Sequence, residues 1–128
     1  MTGDRTAGSG RGKPAVLIVD DEFLLAYDLT EEVEAAGYGV VGPAHSVASA
    51  LDLIEAERTD CAILDVNLGK ETSYPIAEEL AARGIPFTFI TGYEIRQLDA
   101  SFREAPLLCK PVQTHALHAK LQEMLSGT

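Results

Sequence analysis

The stretch Cys61-Ala62-Ile63-Leu64-Asp65 decides how the rest of this sequence is interpreted. Four mostly apolar residues lead to one carboxylate, and the next segment, Val66-Asn67-Leu68-Gly69, ends the apolar run. A short run of this kind is typical of a strand that is buried on both faces of a parallel sheet. Because ligands of open α/β sheets bind beyond the carboxyl ends of the strands, Asp65 is predicted to belong to a site.

Similar apolar runs alternate with segments of helical spacing along the whole chain. Strands are predicted over 15–19, 39–42, 61–65, 85–91 and 106–109, and helices over 23–36, 47–54, 71–84, 94–102 and 113–125. Ser46 suits the cap before the second helix, and Gly37 suits the end of the first. Five alternating pairs predict a doubly wound α/β sandwich, the flavodoxin-like (βα)5 fold with a parallel sheet of strand order 2-1-3-4-5.

Length and composition limit the possible classes of function. The 128 residues suit one domain, expected over 15–126 after a disordered tail over 1–14. A formal net charge of −10 argues against nucleic acid or an anionic membrane as partner. No apolar run reaches the ~20 residues of a membrane span, and the N-terminus lacks a secretory signal, so a cytoplasmic protein is expected. Cys61 and Cys109 are predicted to be buried, reduced thiols.

Polar residues follow several of the predicted strands. Asp20 and Asp21 come after the first strand, and the predicted topology places that strand beside the one that ends in Asp65. Three carboxylates in one crevice repel each other unless a cation such as Mg²⁺ compensates their charge, although one of them could instead cap the first helix. Thr91 ends the fourth strand and Lys110 follows the fifth, so a hydroxyl and a cation are expected on the same rim.

This set of motifs closely resembles the response-regulator receiver domain, the phosphoacceptor half of two-component signalling. The matching residues are Val19-Asp20-Asp21-Glu22, Asp65, Thr91 and Lys110-Pro111, and the resemblance covers nearly the whole chain. It implies a protein that accepts a phosphoryl group from the phosphohistidine of a histidine kinase. Such a domain is not an enzyme in the ordinary sense, although it catalyses its own phosphorylation and dephosphorylation.

The resemblance also assigns roles to individual residues. Asp65 would be the phosphorylated aspartate, with Thr91 and Lys110 contacting its phosphoryl group. Asp21, Asp65 and the backbone carbonyl of Asn67 would bind Mg²⁺ directly, and Asp20 would act through a metal-bound water. The first helix, near Phe23, Leu24 and Tyr27, would dock the kinase.

The sequence departs from the usual receiver pattern at one position. Receivers usually carry Tyr or Phe three residues before the lysine, where this chain has Leu107. The segment Phe89-Ile90-Thr91-Gly92-Tyr93 is instead similar to the FATGUY subgroup, single-domain regulators paired with HWE or HisKA2-type kinases. Tyr93 then becomes the candidate switch aromatic, and Asn67 and Tyr93 would flank the attacking water during dephosphorylation.

Two other interpretations compete with a single-domain phosphoacceptor. A pseudo-receiver would bind partners without phosphorylation, but the complete acidic set argues against it. A Mg²⁺-dependent aspartyl phosphatase would carry Asp-x-Asp on its first strand, whereas Asp20 and Asp21 are adjacent. The expected output is a changed contact with an unknown downstream protein, or service as a phosphate sink.

Overall fold

A parallel sheet of five strands, covered by helices, forms the centre of the molecule. The computed structural model describes residues 13–92, 100–102 and 105–126. In chain order its elements are β1 Ala15–Val19, α1 Phe23–Ala35, β2 Gly39–Ala44, α2 Val47–Ala56, β3 Cys61–Asp65, β4 Asn67–Leu68, β5 Glu71–Thr72, α3 Tyr74–Ala82, β6 Phe87–Thr91, a 3₁₀ helix Ala100–Phe102, β7 Leu107–Cys109 and α4 Thr114–Leu125. The main sheet has the order β2-β1-β3-β6-β7. The predicted flavodoxin-like arrangement is therefore confirmed.

The register of the sheet determines which polar residues meet at its carboxyl edge. Val19 of β1 pairs with Leu64 of β3, so Asp20 and Asp65 follow at the same level. On the other side of β3, Asp65 pairs with Ile90 of β6. The neighbouring strands β6 and β7 end together, as Thr91 pairs with Cys109.

Alternate residues of the strands fill two separate cores, one on each face of the sheet. Leu17, Leu64 and Phe89 belong to the core under α2 and α3. Ile18 and Ile63 belong to the opposite core, to which α1 and α4 contribute Leu29, Val33, Leu117 and Leu121. Because both faces of β1 and β3 are covered, their sequences lack polar alternation, which is the pattern that predicted them.

The ends of two helices agree with the sequence. The Ser46 side chain accepts a hydrogen bond from the Ser49 N–H at 3.1 Å, as expected for the cap of α2. Gly37 follows α1 with a φ of +100°, a left-handed conformation that glycine adopts without steric cost. Within the described residues, no helix is long and apolar enough to cross a membrane.

The predicted start of the third helix is wrong. Residues 71 and 72 form β5, which pairs antiparallel with β4 through a turn that contains Gly69 at φ +70°. The helix α3 begins only at Tyr74, with a proline in its first turn. Strands of two residues are shorter than any hydrophobic period, so the sequence pattern did not predict this hairpin.

The far edge of the sheet also differs from the prediction. β7 has three residues and pairs with β6, and no other described strand adjoins it. Cys109 is exposed at this edge, so the prediction that it is buried is wrong. β2 is longer than predicted and continues through Pro43 to Ala44.

Two predictions concern residues that are largely not described. Most of the helix predicted over 94–102 lies outside the described residues, and residues 100–102 form a 3₁₀ helix. Residues 1–12 of the predicted tail also lie outside them. The last two residues of that segment contact the domain, because the Pro14 carbonyl accepts from Gly39 N–H at 2.9 Å and the Lys13 carbonyl accepts from Arg58 at 2.8 Å.

Candidate functional site

Three carboxylates meet where β1 and β3 end. Asp20 and Asp21 follow β1, Asp65 is the last residue of β3, and each offers an oxygen within 4.8 Å of the others. Asp20 is completely buried and Asp65 is 5% exposed, whereas Asp21 is half-buried. The three acids that the sequence predicted to meet are therefore together at the carboxyl edge of the sheet.

Lys110 reaches this cluster from the loop after β7. Its Nζ donates to Asp65 Oδ2 at 2.9 Å and lies 3.7 Å from Asp20 Oδ2 and 3.8 Å from Glu22 Oε1. Burial acts against the charged amine, but the hydrogen bond and charge of Asp65, together with Asp20 and Glu22, raise the pKa of Lys110. Lys110 is therefore a permanent cation that compensates part of the negative charge.

Asp20 is the most deeply buried of the three acids. Its Oδ1 accepts from the Glu22 N–H at 2.9 Å, whereas its buried Oδ2 has no hydrogen-bond partner among the described residues. Burial raises the pKa of Asp20 to about 6, and the charge of Asp65 acts in the same direction, against the lowering effects of the Glu22 N–H and Lys110. The residue that caps α1 is Glu22, so neither Asp20 nor Asp21 is the N-cap of α1.

The donor set fits a hard divalent cation. The cluster offers three carboxylates as oxygen ligands, and their negative charge exceeds the positive charge of Lys110. One buried carboxylate oxygen of the cluster, Asp20 Oδ2, lacks a hydrogen bond. Buried polar atoms are normally satisfied, so an orphaned carboxylate oxygen indicates a group that binds there. Mg²⁺ takes one or two carboxylates together with waters and phosphate oxygens, and this cluster offers such carboxylates.

Of the remaining predicted residues, Thr91 and Asn67 lie at the same edge, whereas Leu107 begins β7 and pairs with Phe89, two residues before these strands end. Thr91 is 7% exposed at the end of β6, and its carbonyl accepts from the Lys110 N–H at 2.8 Å. Leu107 is half-buried in β7. The N–H of Asn67 donates to Asp65 Oδ1 at 3.3 Å. Tyr93, the proposed switch aromatic, lies outside the described residues.

The β4–β5 hairpin is a part of the site that sequence reasoning missed. A Cβ atom on Gly69 would lie 3.6 Å from Asp21 Oδ2, so the turn lies against the acidic cluster. Glu71 Oε2 accepts from the Val47 N–H at 3.1 Å, which fastens the hairpin to the first residue of α2. Contacts between residues 24 positions apart leave no local signal in the sequence.

An apolar patch lies next to the acids, at the start of α1. Phe23, Leu24 and Tyr27 are 71%, 81% and 59% exposed, although apolar helix residues usually face the core. A contiguous exposed patch of this kind is typical of an interaction surface.

Comparison with known proteins identifies the family. The model of the response regulator receiver domain matches residues 16–122. The regulator PdtaR of Mycobacterium tuberculosis H37Rv is 33% identical over 106 residues, which are 82% of this chain and 52% of PdtaR. The phyllosphere-induced regulator PhyR of Methylorubrum extorquens AM1 is 32% identical over 114 residues, covering 86% of this chain and 43% of PhyR. The chain thus spans about half the length of these curated relatives.

Solved structures give the same result. The solution structure of SdrG from Sphingomonas melonis Fr1 has a TM-score of 0.78 at 43% identity, covering 88% of this chain and 97% of SdrG. The PhyR receiver domain of Erythrobacter litoralis has a TM-score of 0.81 at 25% identity, covering 94% and 95% of the two chains. A BeF3-activated conformation of SdrG matches with a TM-score of 0.75 at 44% identity, covering 87% and 95%.

Proposed function

Because this chain belongs to the response-regulator receiver family, we propose that it is a phosphoacceptor of two-component signalling, with Asp65 as the acceptor. The observation that carries the proposal is the 2.9 Å contact between Lys110 Nζ and Asp65 Oδ2 beside two further acids. A carboxylate that a cation holds at the end of a strand contributes nothing to the apolar core. Its position therefore favours a chemical role over a structural one.

The proposed reaction is phosphoryl transfer from a kinase phosphohistidine. A carboxylate oxygen of Asp65 forms a bond to phosphorus, the phosphorus–nitrogen bond breaks, and the imidazole leaves with the electron pair. Catalysis of such a transfer depends on positioning and on charge compensation. Lys110 would contact a phosphoryl oxygen, and the buried Thr91 would donate its hydroxyl to another.

Mg²⁺ is the proposed cofactor. Asp21, Asp65 and the Asn67 carbonyl would hold it directly, and Asp20 would hold it through a water. When bound, the ion supplies positive charge beside the phosphoryl oxygens. The buried, unpartnered Asp20 Oδ2 supports this assignment, since it leaves an acceptor free for such a water.

Hydrolysis of the acyl phosphate would reset the protein. A water oxygen attacks phosphorus, inorganic phosphate leaves, and the Asp65 carboxylate is restored. Asn67 is exposed two residues beyond Asp65, in keeping with a position on the path of the attacking water. Tyr93 occupies the equivalent place two residues beyond Thr91 in the sequence, and the surface near Tyr93 and Leu107 would change on phosphorylation.

The proposed partners are a histidine kinase, of HWE or HisKA2 type by the FATGUY-like signature, and an unidentified downstream protein. The exposed patch of Phe23, Leu24 and Tyr27 supports kinase docking beside Asp65. A cytoplasmic receiver domain over residues 15–126 accords with these partners. The similar protein SdrG has a solution structure in a BeF3-activated conformation.

Intact-protein mass after incubation with acetyl phosphate and Mg²⁺ tests the proposal. Wild type should gain one phosphoryl group, Asp65→Asn should gain none, and Asp52→Asn, which alters an exposed acid on α2, should behave as wild type. A chelator should suppress the gain. An adduct on Asp65→Asn would contradict the assignment of Asp65.

A second assay separates the competing interpretations. If purified histidine kinases also leave wild type unmodified, the protein is a pseudo-receiver and the proposal is wrong. If the protein releases phosphate from p-nitrophenyl phosphate over many turnovers, it is an aspartyl phosphatase. A single stoichiometric transfer, followed by slow hydrolysis, is the expected result.

A further inference from the structure

His45 connects the exposed start of α1 with the acidic cluster. It lies between β2 and α2 and is half-buried. Its Nδ1 lies 2.8 Å from the backbone carbonyl oxygen of Asp20. A carbonyl oxygen can only accept, so the ring nitrogen carries the hydrogen in this contact. The ring of His45 also packs against Phe23, with 4.2 Å between the ring centroids and a tilt of 47°.

The backbone of Asp20 is held at both of its polar groups by two adjacent residues. The Asp20 N–H donates to the Ala44 carbonyl at 3.0 Å, and the Asp20 carbonyl accepts from His45. The first bond continues the sheet, whereas the second depends on one side chain. The Asp20 carboxylate accepts one hydrogen bond, from the Glu22 N–H to Oδ1, and Lys110 Nζ lies 3.7 Å from Oδ2, which has no hydrogen-bond partner among the described residues. Because that one hydrogen bond comes from the neighbouring backbone, the direction of the carboxylate follows from how this stretch of backbone is held.

Phe23 brings the other end of the connection to the surface. It is the first residue of α1 and is 71% exposed, so the His45 ring is one of the surfaces on which it packs. A protein that covers Phe23 would also restrict the ring of His45. Restriction of that ring preserves the hydrogen bond to Asp20 and thereby the geometry of the acid.

We propose that His45 is a positioning residue that couples docking of the histidine kinase on the Phe23 surface to cation binding at Asp20. The inference rests on the proposed function, in which Asp20 helps to hold Mg²⁺. Coupling between two binding sites is reciprocal, so Mg²⁺ strengthens binding of the partner by the same factor by which the partner strengthens binding of Mg²⁺.

Two substitutions separate the two contacts of His45. His45→Phe keeps a ring beside Phe23 but lacks a hydrogen-bond donor. His45→Asn loses the ring but keeps a donor nitrogen two bonds from Cβ, where histidine has Nδ1. His115→Phe, on the exposed face of α4, is the matched control.

Isothermal titration with Mg²⁺ measures the hydrogen-bond contribution. The dissociation constant of His45→Phe should exceed that of wild type by roughly three- to tenfold, since the net contribution of one neutral hydrogen bond corresponds to a factor of this order. His45→Asn and His115→Phe should remain within about twofold of wild type. Equal affinities for His45→Phe and wild type would overturn the inference, as would an Asn variant as weak as the Phe variant.

A double-mutant cycle measures the coupling to Phe23 without any kinase. Phe23→Ala should weaken Mg²⁺ binding by about twofold in wild type, because the His45 ring loses its packing partner, and should have no effect on Mg²⁺ binding in His45→Ala. Equal effects in both backgrounds would exclude a connection through His45. Thermal unfolding without Mg²⁺ verifies that each variant is folded.

The two proposals fail in different ways. If wild type acquires a phosphoryl group on Asp65 but the His45 variants bind Mg²⁺ as tightly as wild type, only the positioning role is wrong. If neither acetyl phosphate nor a kinase modifies wild type while the His45 variants still differ in Mg²⁺ affinity, the phosphoacceptor function is wrong and the positioning of Asp20 remains.

Discussion

The centre and the edge of the sheet contribute unlike parts of the same site. β1 and β3 have a neighbouring strand on each side, and all the residues of β3 are buried. β7 has three residues that are half-buried or exposed, at the end of the sheet. The centre supplies the acids and the edge supplies Lys110. The negative charges thus lie at the ends of well-packed strands, while the cation follows the least buried strand of the main sheet.

Leucines on the two strands give the strongest test of this difference. Leu64→Ala in β3 should lower the free energy of unfolding by about 4 kcal/mol, because it opens a cavity in a closed core. Leu107→Ala in β7 should cost only about 1 kcal/mol, since the side chain is partly exposed. Urea unfolding of the two variants measures both values. Equal losses would show that the edge is packed as tightly as the centre.

Lys110→Ala removes the contact between the two regions. Asp65 and Asp20 then lose their nearest cation, and about 3 kcal/mol of stability should be lost without Mg²⁺, as for a broken buried ion pair. Added Mg²⁺ should restore part of the loss. Lys120→Ala breaks an exposed pair with Glu123 and should cost no more than about 0.5 kcal/mol. Chemical unfolding of wild type and both variants at two Mg²⁺ concentrations measures these losses of stability.

Asp20→Asn tests how much the buried carboxylate at the end of β1 destabilises the metal-free protein. The folded-state pKa of Asp20 is raised to about 6, chiefly by burial, and lies above the ~3.9 of an unfolded aspartate. The metal-free folded state therefore binds this proton more tightly, and its stability should fall as pH rises from 4 to 7. The Asn variant should lack this component and be about 2 kcal/mol more stable at pH 7.5 without Mg²⁺.

A pH series of urea midpoints, with and without Mg²⁺, compares Asp20→Asn with wild type. Mg²⁺ should stabilise wild type more than the variant, since only wild type retains the full ligand set. A variant that is less stable than wild type at pH 7.5 in a chelating buffer would contradict a repulsive cluster.

Phe102→Ala tests the packing beneath the edge. Phe102 stacks on Tyr74 at 5.1 Å between ring centroids and meets Phe89 edge-on at 5.4 Å. Because it is only half-buried, its loss should cost about 1 kcal/mol, less than a fully buried phenylalanine. Phe23→Ala, at an exposed ring, should change the thermal midpoint in metal-free buffer by less than Phe102→Ala does. A larger loss for Phe23→Ala would reverse this ranking.

The same contrast explains what the sequence predicted and what it did not. The central strands could be predicted because a strand that is buried on both faces requires a continuous apolar run. Asp20 and Asp65 each directly follow such a run. The run before Lys110 is also apolar, yet Cys109 is exposed. Local composition does not show whether a strand lies at the centre or at the edge of a sheet. The strands of the β4–β5 hairpin are too short to show a hydrophobic period. The contacts of Glu71 and His45 join segments that are distant in the sequence, and hydrophobic periodicity describes only local structure.

The unequal exposure of the two cysteines provides the natural chain with a single point for chemical labelling. Cys61 is fully buried, and burial, followed by the charge of Asp60, raises the pKa of its thiol to about 12, so it remains protonated and shielded from reagents. Cys109 is exposed and directly precedes Lys110. A maleimide fluorophore would therefore attach at one position beside the cation of the site. Its emission would report, in real time and without mutagenesis, when the charge around Lys110 changes.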